Sequence, residues 1–218
     1  AEVLFHTDAT QAVGKIPIDL GTLSVDLLSL SAHKMYGPKG IGALFVRRDG
    51  RRIRIEPLVY GGGHERRLRS GTLPVQQIVG LGEACRLSRE SMEEESMQVR
   101  RLRNRLRSGI QESIPDVTYN GHPGPRLPGN LHVSFHRVNS EALMTKLKEV
   151  LAVSSGSACT TAEPELSHVL LAMGVDESLV DSSVRFGLGR FNTAQDVETV
   201  ICALAHSVTQ LRQLAPIR

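Results

Sequence analysis

"VDLLSLSAHKMYGPKGIGALFV", residues 25–46, is the stretch whose reading decides the fold. Two apolar runs of strand length flank a connector that carries Ser31, His33 and Lys34 and ends in a glycine-rich tail. A plain hairpin would use a two-residue turn such as Asn-Gly. This connector is longer, cationic and rich in hydrogen-bond donors. It is either a solvated loop or a device for holding an anion beside an activated amine.

Working outward, "VLFHTDAT" (3–10) reads as a short strand over Val3–Phe5 ending in polar residues, and "GIGALFVRR" (40–48) as a third strand. The intervening "QAVGKIPIDLGTL" (11–23) has room for a short helix and a crossover, which points to an α/β arrangement. Residues 51–74 are loop-rich, with three consecutive glycines. From Val75 to about Ser113 the pattern is helical, and its later part carries acids first and arginines last, the order that complements a helix dipole. With no aromatic residue interleaved, the arginine run reads as a solvated helix face.

Beyond Pro115, "LPGNLHVSF" (127–135) and "VLAVSSG" (150–156) read as strands, with "EALMTKLKE" (141–149) a helix between them. "TAQDVETVICALAHSVTQLRQL" (193–214) is a final amphipathic helix with Thr193 as its N-cap. Two units are expected. Residues 1–92 form the C-terminal part of a large α/β domain, and residues 93–218 form a linking helix and a small α+β domain.

The 218 residues are enough to bury a sizeable core, and 40% hydrophobic with 22% charged residues is ordinary globular composition. A net charge of +3 does not argue for nucleic acid, and no apolar run approaches the ~20 residues that span a bilayer. No signal peptide precedes the first strand, and the opening "AEVLFHTD" reads as a chain entered partway through. Cys85, Cys159 and Cys202 are far apart with no CxxC pair, which suits a reducing, cytoplasmic setting rather than a disulfide framework or a zinc site. Cys85 and Cys202 lie in helical apolar surroundings and are expected in the core.

Four positions could do chemistry. Asp8 follows a strand directly, so its carboxylate would lie at a strand's C-terminal end, where open α/β sheets place ligands; it would equally serve as a helix N-cap. Lys34 beside His33 is an amine that a neighbouring cation could make nucleophilic. Together, Asp8 and Lys34 supply the ring-nitrogen partner and Schiff-base amine that a pyridoxal phosphate enzyme needs, with Ser31 and His33 as phosphate donors. Cys159 stands among small polar residues in "AVSSGSACTTAEPELSHVL" (152–170), the setting of a reactive thiol; His168, nine residues on, is not thereby its partner. Arg185, between apolar strand residues, needs an anionic partner, either a substrate carboxylate or a structural acid.

The segments "HTDATQAVGKIPID", "DLLSLSAHKMYGPKGIGALFVRR", "GGGHERRLRSGT", "LPGNLHVSF", "SSGSACT" and "SSVRFGLGRF" resemble, in this order, those of cysteine desulfurases of the NifS/IscS type. These belong to the class V aminotransferase family of pyridoxal phosphate enzymes of fold type I. The resemblance covers essentially the whole chain. It implies that Lys34 holds pyridoxal 5'-phosphate covalently, Asp8 pairs with the ring nitrogen and Gln11 bonds the phenolic oxygen. It implies a phosphate site of Ser31 and His33, joined by Thr72 from the other subunit of a homodimer. Arg185 would clamp the carboxylate of L-cysteine, and Cys159 would take its sulfur as a persulfide, releasing alanine. The cysteine loop resembles the long version found in the branch that feeds iron–sulfur scaffolds and other acceptors, where the same thiol is a transient iron–sulfur ligand.

Family members carry a long portion ahead of "HTDATQ", with a phosphate loop and a histidine that stacks on the cofactor. The present sequence corresponds to somewhat more than the C-terminal half. The expectation is an active desulfurase as the complete protein, with the 218-residue chain alone weak or inactive. The competing readings are a selenocysteine lyase, a class V transaminase, and a catalytically silent binding module that engages a sulfur acceptor or dimer partner.

Overall fold

A computed structural model describes residues 3–48, 53–153 and 166–214. They fall into two compact units, Ala1–Glu94 and Glu95–Arg218.

The first unit is built on a three-stranded sheet of β1 (His6–Asp8), β2 (Leu27–Ser31) and β3 (Gly42–Val46), in that order. β1 and β2 are parallel, with Asp8 opposite Ser29, and β3 returns antiparallel to β2. The first strand begins three residues later than expected. Phe5 is held at the ladder's start, its N–H donating to Asp26 Oδ2 at 2.7 Å and its carbonyl accepting from Asp26 and Leu27. Val3 through Phe5 stay exposed ahead of it.

The crossover from β1 to β2 holds turns instead of the expected short helix. Ala12 and Val13 both donate to Ala9 O, closing one turn. Gly14 then adopts φ 76°, a left-handed conformation that stops right-handed propagation. Arg47 ties this crossover to the end of β3, its guanidinium donating to the carbonyls of Leu20, Leu23 and Val25 at 2.7 Å each. At Gly42 a side chain would collide with the Leu30 carbonyl, so only glycine lets β3 approach β2 where the connector closes. The apolar residues buried in this unit are few: Ala9, Val25, Leu28, Ala32, Met35 and Ala84.

Helix α1 (Val75–Ser113) runs through the boundary between the units. In the second unit Leu102, Leu106 and Ile110 recur every four residues and are buried, the apolar stripe of an amphipathic helix. They join an antiparallel sheet of β4 (Val117–Asn120), β5 (Asn130–Phe135) and β6 (Ser183–Gly187), with β5 central. Leu131, Val133, Val184 and Phe186 form its inner face. Helices α2 (Ser140–Leu147), α3 (His168–Ala172), α4 (Glu177–Asp181) and α5 (Ala194–Leu214) complete the unit, and α5 buries Val197, Val200, Ile201, Leu204 and Val208. Thr193 caps α5 as expected: its Oγ1 accepts from Asp196 N–H at 3.2 Å while Asp196 Oδ2 accepts from Thr193 N–H at 2.8 Å.

Two further expectations fail. Leu151–Val153 form no strand: Val150 and Leu151 donate back to Leu147 O, and Leu151 and Val153 pack on the core as irregular chain. The rest of that expected strand lies outside the described residues. Cys85 and Cys202 are exposed, each one step around its helix from a buried neighbour, Ala84 and Ile201. No helix among the described residues is long and apolar enough to cross a membrane.

Candidate functional site

Asp8 and Ser31 stand at the C-terminal ends of two neighbouring parallel strands. Side chains alternate along a strand, and paired residues of adjacent strands share a face. The register therefore sets His6, Asp8, Ser29 and Ser31 on one face of the sheet, and the 3.2 Å contact between His6 Nε2 and Ser29 Oγ follows from it. Ligands of open α/β sheets bind outside such carboxyl ends. No helix follows Asp8, so it is not an N-cap; Oδ1 accepts from Thr10 N–H at 2.9 Å in a tight turn. Hydrogen bonds from the Thr10 side chain and then its amide hold the Asp8 carboxyl below the usual range, so it is an exposed anion at neutral pH.

The connector after β2 is a single 3-10 turn, Ala32–Met35, anchored by buried Ala32 and Met35. Those anchors leave His33 and Lys34 exposed. Ser31 Oγ and His33 Nδ1 lie 2.7 Å apart, forming a hydroxyl–imidazole pair beside the lysine. Tyr36, in the left-handed region at φ 63°, ends the turn, and Gly37 N–H donates to Ala32 O at 2.9 Å. Gln11 lies in the turn after Asp8, its Oε1 accepting from Lys15 Nζ at 3.2 Å. Thr72 is an exposed residue of the loop before α1, where Arg69 Nη1 donates to the carbonyls of Gly71 and Thr72. Asp8, Gln11, Ser31, His33, Lys34 and Thr72 all belong to the first unit.

Arg185 belongs to the second unit, at the middle of β6. The expected anionic partner is not found among the described residues, because the strand's alternation buries Val184 and Phe186 and turns Arg185 outward. Across the ladder stands His132, whose Nε2 is buried without a hydrogen-bond partner among the described residues. Burial first, then the charges of Arg185 and Arg126, push the His132 imidazole down to about 4, so it is neutral at physiological pH. Cys159, with its thiol and transient-ligand roles, lies outside the described residues. His168 opens α3 behind Ser167, whose Oγ caps that helix.

Sequence reasoning missed His132; the arginine run is the expected solvated face at Arg100, Arg101, Arg105 and Arg107 and departs from it at Arg103. Arg103 is 8% exposed, buried against the expectation of a solvated face, and lines a cleft with Arg100, Arg107 and Arg126. The spacing of 100, 103 and 107 was the available signal, since positions three and four apart share a helix face.

Residues 1–200 match the family model described as aminotransferase class-V. Over 215 residues the chain is 54% identical to a protein named cysteine desulfurase IscS from Klebsiella pneumoniae, a match covering 99% of this chain and 52% of that protein. It resembles the X-ray structure of a NifS-like protein from Rickettsia africae with a TM-score of 0.85 and 31% identity, over 94% of this chain and 54% of the other. It also resembles the structure of SspA in complex with cysteine, with a TM-score of 0.64 and 36% identity, over 88% of this chain and 52% of that one. The chain spans about half the length of the curated relatives it matches.

Proposed function

This chain belongs to the class-V aminotransferase family, and from that premise we propose that the protein it represents is a cysteine desulfurase. Its fold is part of the pyridoxal-phosphate-dependent fold type I architecture. The reaction takes L-cysteine to L-alanine and leaves the sulfur as a persulfide on Cys159, for transfer to an acceptor such as an iron–sulfur scaffold in the cytoplasm. The observation that carries the reading is the donor set at the ends of β1 and β2: an ionised carboxylate, a hydroxyl–imidazole pair and an exposed lysine.

That set fits pyridoxal 5'-phosphate chemically. An anionic Asp8 suits a protonated ring nitrogen, Ser31 and His33 suit a phosphate, and the Lys34 amine suits a carbonyl carbon. Gln11 offers an amide to the phenolic oxygen, and Thr72 a further hydroxyl to the phosphate, supplied across a homodimer. When bound, the cofactor supplies an electron sink that labilises bonds at the substrate carbons. Asp8 keeps its charge because Thr10 bonds the carboxylate, so it can hold a ring proton in place.

Arg185, exposed and without an acid partner among the described residues, offers its planar fork to the substrate carboxylate. Beside it His132 stays neutral, so no second cation competes for that carboxylate. Cys159 attacks the substrate sulfur as a thiolate. One S–S bond forms and the substrate C–S bond breaks; its electron pair stays with carbon, which takes up a proton to become the methyl group of alanine.

Absorbance titration with pyridoxal phosphate tests the cofactor site. A visible band is expected in the 218-residue chain, absent in Lys34→Ala. A band that persists without Lys34 overturns its assignment. In the active protein, Cys159→Ser abolishes alanine formation from L-cysteine; a class V transaminase would keep its activity.

A further inference from the structure

We propose that the second unit carries a binding site for a phosphate-class oxyanion, formed by Arg100, Arg103, Arg107 and Arg126, residues the desulfurase reaction does not use. The first three project from α1 and the last from the loop joining β4 to β5, and all four line one cleft that no carboxylate lines among the described residues.

The cleft is built rather than incidental. Arg126 is pinned by backbone carbonyls, with Nη2 donating to Asn120 O and Nε to His122 O, each at 2.8 Å. The Arg107 guanidinium lies 4.8 Å from the centroid of the Tyr119 ring, and the Tyr119 hydroxyl returns a hydrogen bond to Arg107 O at 2.9 Å. Arg103 is more than nine-tenths buried; Nε donates to Asn104 Oδ1 at 3.0 Å, while Nη1 has no partner among the described residues. Burial, then the charges of Arg126, Arg100 and Arg107, weaken Arg103's hold on its proton. A buried guanidinium with an orphaned donor and three cationic neighbours is costly, and an incoming anion relieves both penalties together.

The geometry selects the class of anion. Guanidinium forks match tetrahedral oxyanions bidentately. Residues 100–107 span about 10 Å of helix at 1.5 Å per residue, room for one or two phosphate groups but too short for a nucleic-acid track. The lining also offers no free aromatic face on which a base could stack. A small phosphorylated or sulfated molecule is therefore the ligand class.

Thermal melting in inorganic phosphate against chloride at matched ionic strength tests the site. Phosphate is expected to raise the melting temperature. Arg103→Gln should weaken the phosphate response about tenfold or more, the size of one lost charge-assisted hydrogen bond. Arg107→Gln removes an exposed cleft arginine and should do the same if the Arg103 variant fails to fold. Arg101→Gln, an exposed arginine outside the cleft, should leave the response unchanged. An equal loss in Arg101→Gln, or no phosphate response, overturns the proposal. So does Arg107-dependent binding of a polyglutamate peptide or duplex DNA without a phosphate response.

Discussion

His132 occupies the middle of β5, opposite Asn120 on one side and Arg185 on the other. Its imidazole is pushed down to about 4 from an ordinary value of 6.5. Below pH 6.5 the unfolded chain therefore binds a proton that the folded chain refuses. The contribution is complete above 6.5 and is lost progressively as pH falls towards 4, amounting to roughly 3 kcal/mol. Urea denaturation at pH 7 and pH 5 should show about 2 kcal/mol of this loss, and His132→Asn should flatten it; an unchanged slope in the variant would assign the titration to another group. Asp8 runs the same way in sign, its depressed carboxyl adding stability that is present above the ordinary carboxylate range and lost on acidification through it.

Among the elements, β5 and α5 depend on identifiable single contacts. Gly129, just before β5, lies where an added Cβ would run into Leu188 O, and its own carbonyl accepts from Leu188 N–H at 2.9 Å. Gly129→Ala should cost about 3 kcal/mol, because backbone cannot move aside as a flexible side chain can. A smaller change by denaturant titration would mean the loop yields. For α5, Thr193→Ala removes one half of a reciprocal cap and should cost about 1 kcal/mol, with Thr193→Ser restoring it. An equal loss in the serine variant would assign the effect to packing of the methyl group.

At the scale of the whole molecule, the two units differ in how much they bury. The second has an extensive core running from Leu102 to Val208 across α1, the β4–β6 sheet and α5, while the first buries few apolar side chains beyond Leu28 and Met35. Local stability follows buried contacts. Hydrogen exchange should be slower in β5 and α5 than in β1–β3, and pyridoxal phosphate should slow β1 and β2 selectively by binding the folded site. Uniform exchange through both units would contradict this account.

How much was legible beforehand depended on how local the cause was. The sequence alone determined the strand–connector–strand of 25–46, α1 with both of its ends, the Thr193 cap, and the grouping of Asp8, Ser31, His33 and Lys34 at strand ends. Each of these follows from short-range chemistry: alternation, turn residues, capping and helical periodicity. Tertiary structure decided what depends on neighbours distant in sequence. The contacts of Phe5 with Asp26 and Leu27 moved β1 to His6, and helix packing left Cys85 and Cys202 outside the core. The β5–β6 register set His132 beside Arg185, and the return of the β4–β5 loop to α1 made a cleft from an arginine run. Burial and charge crowding are sums over such neighbours, and no local pattern carries them.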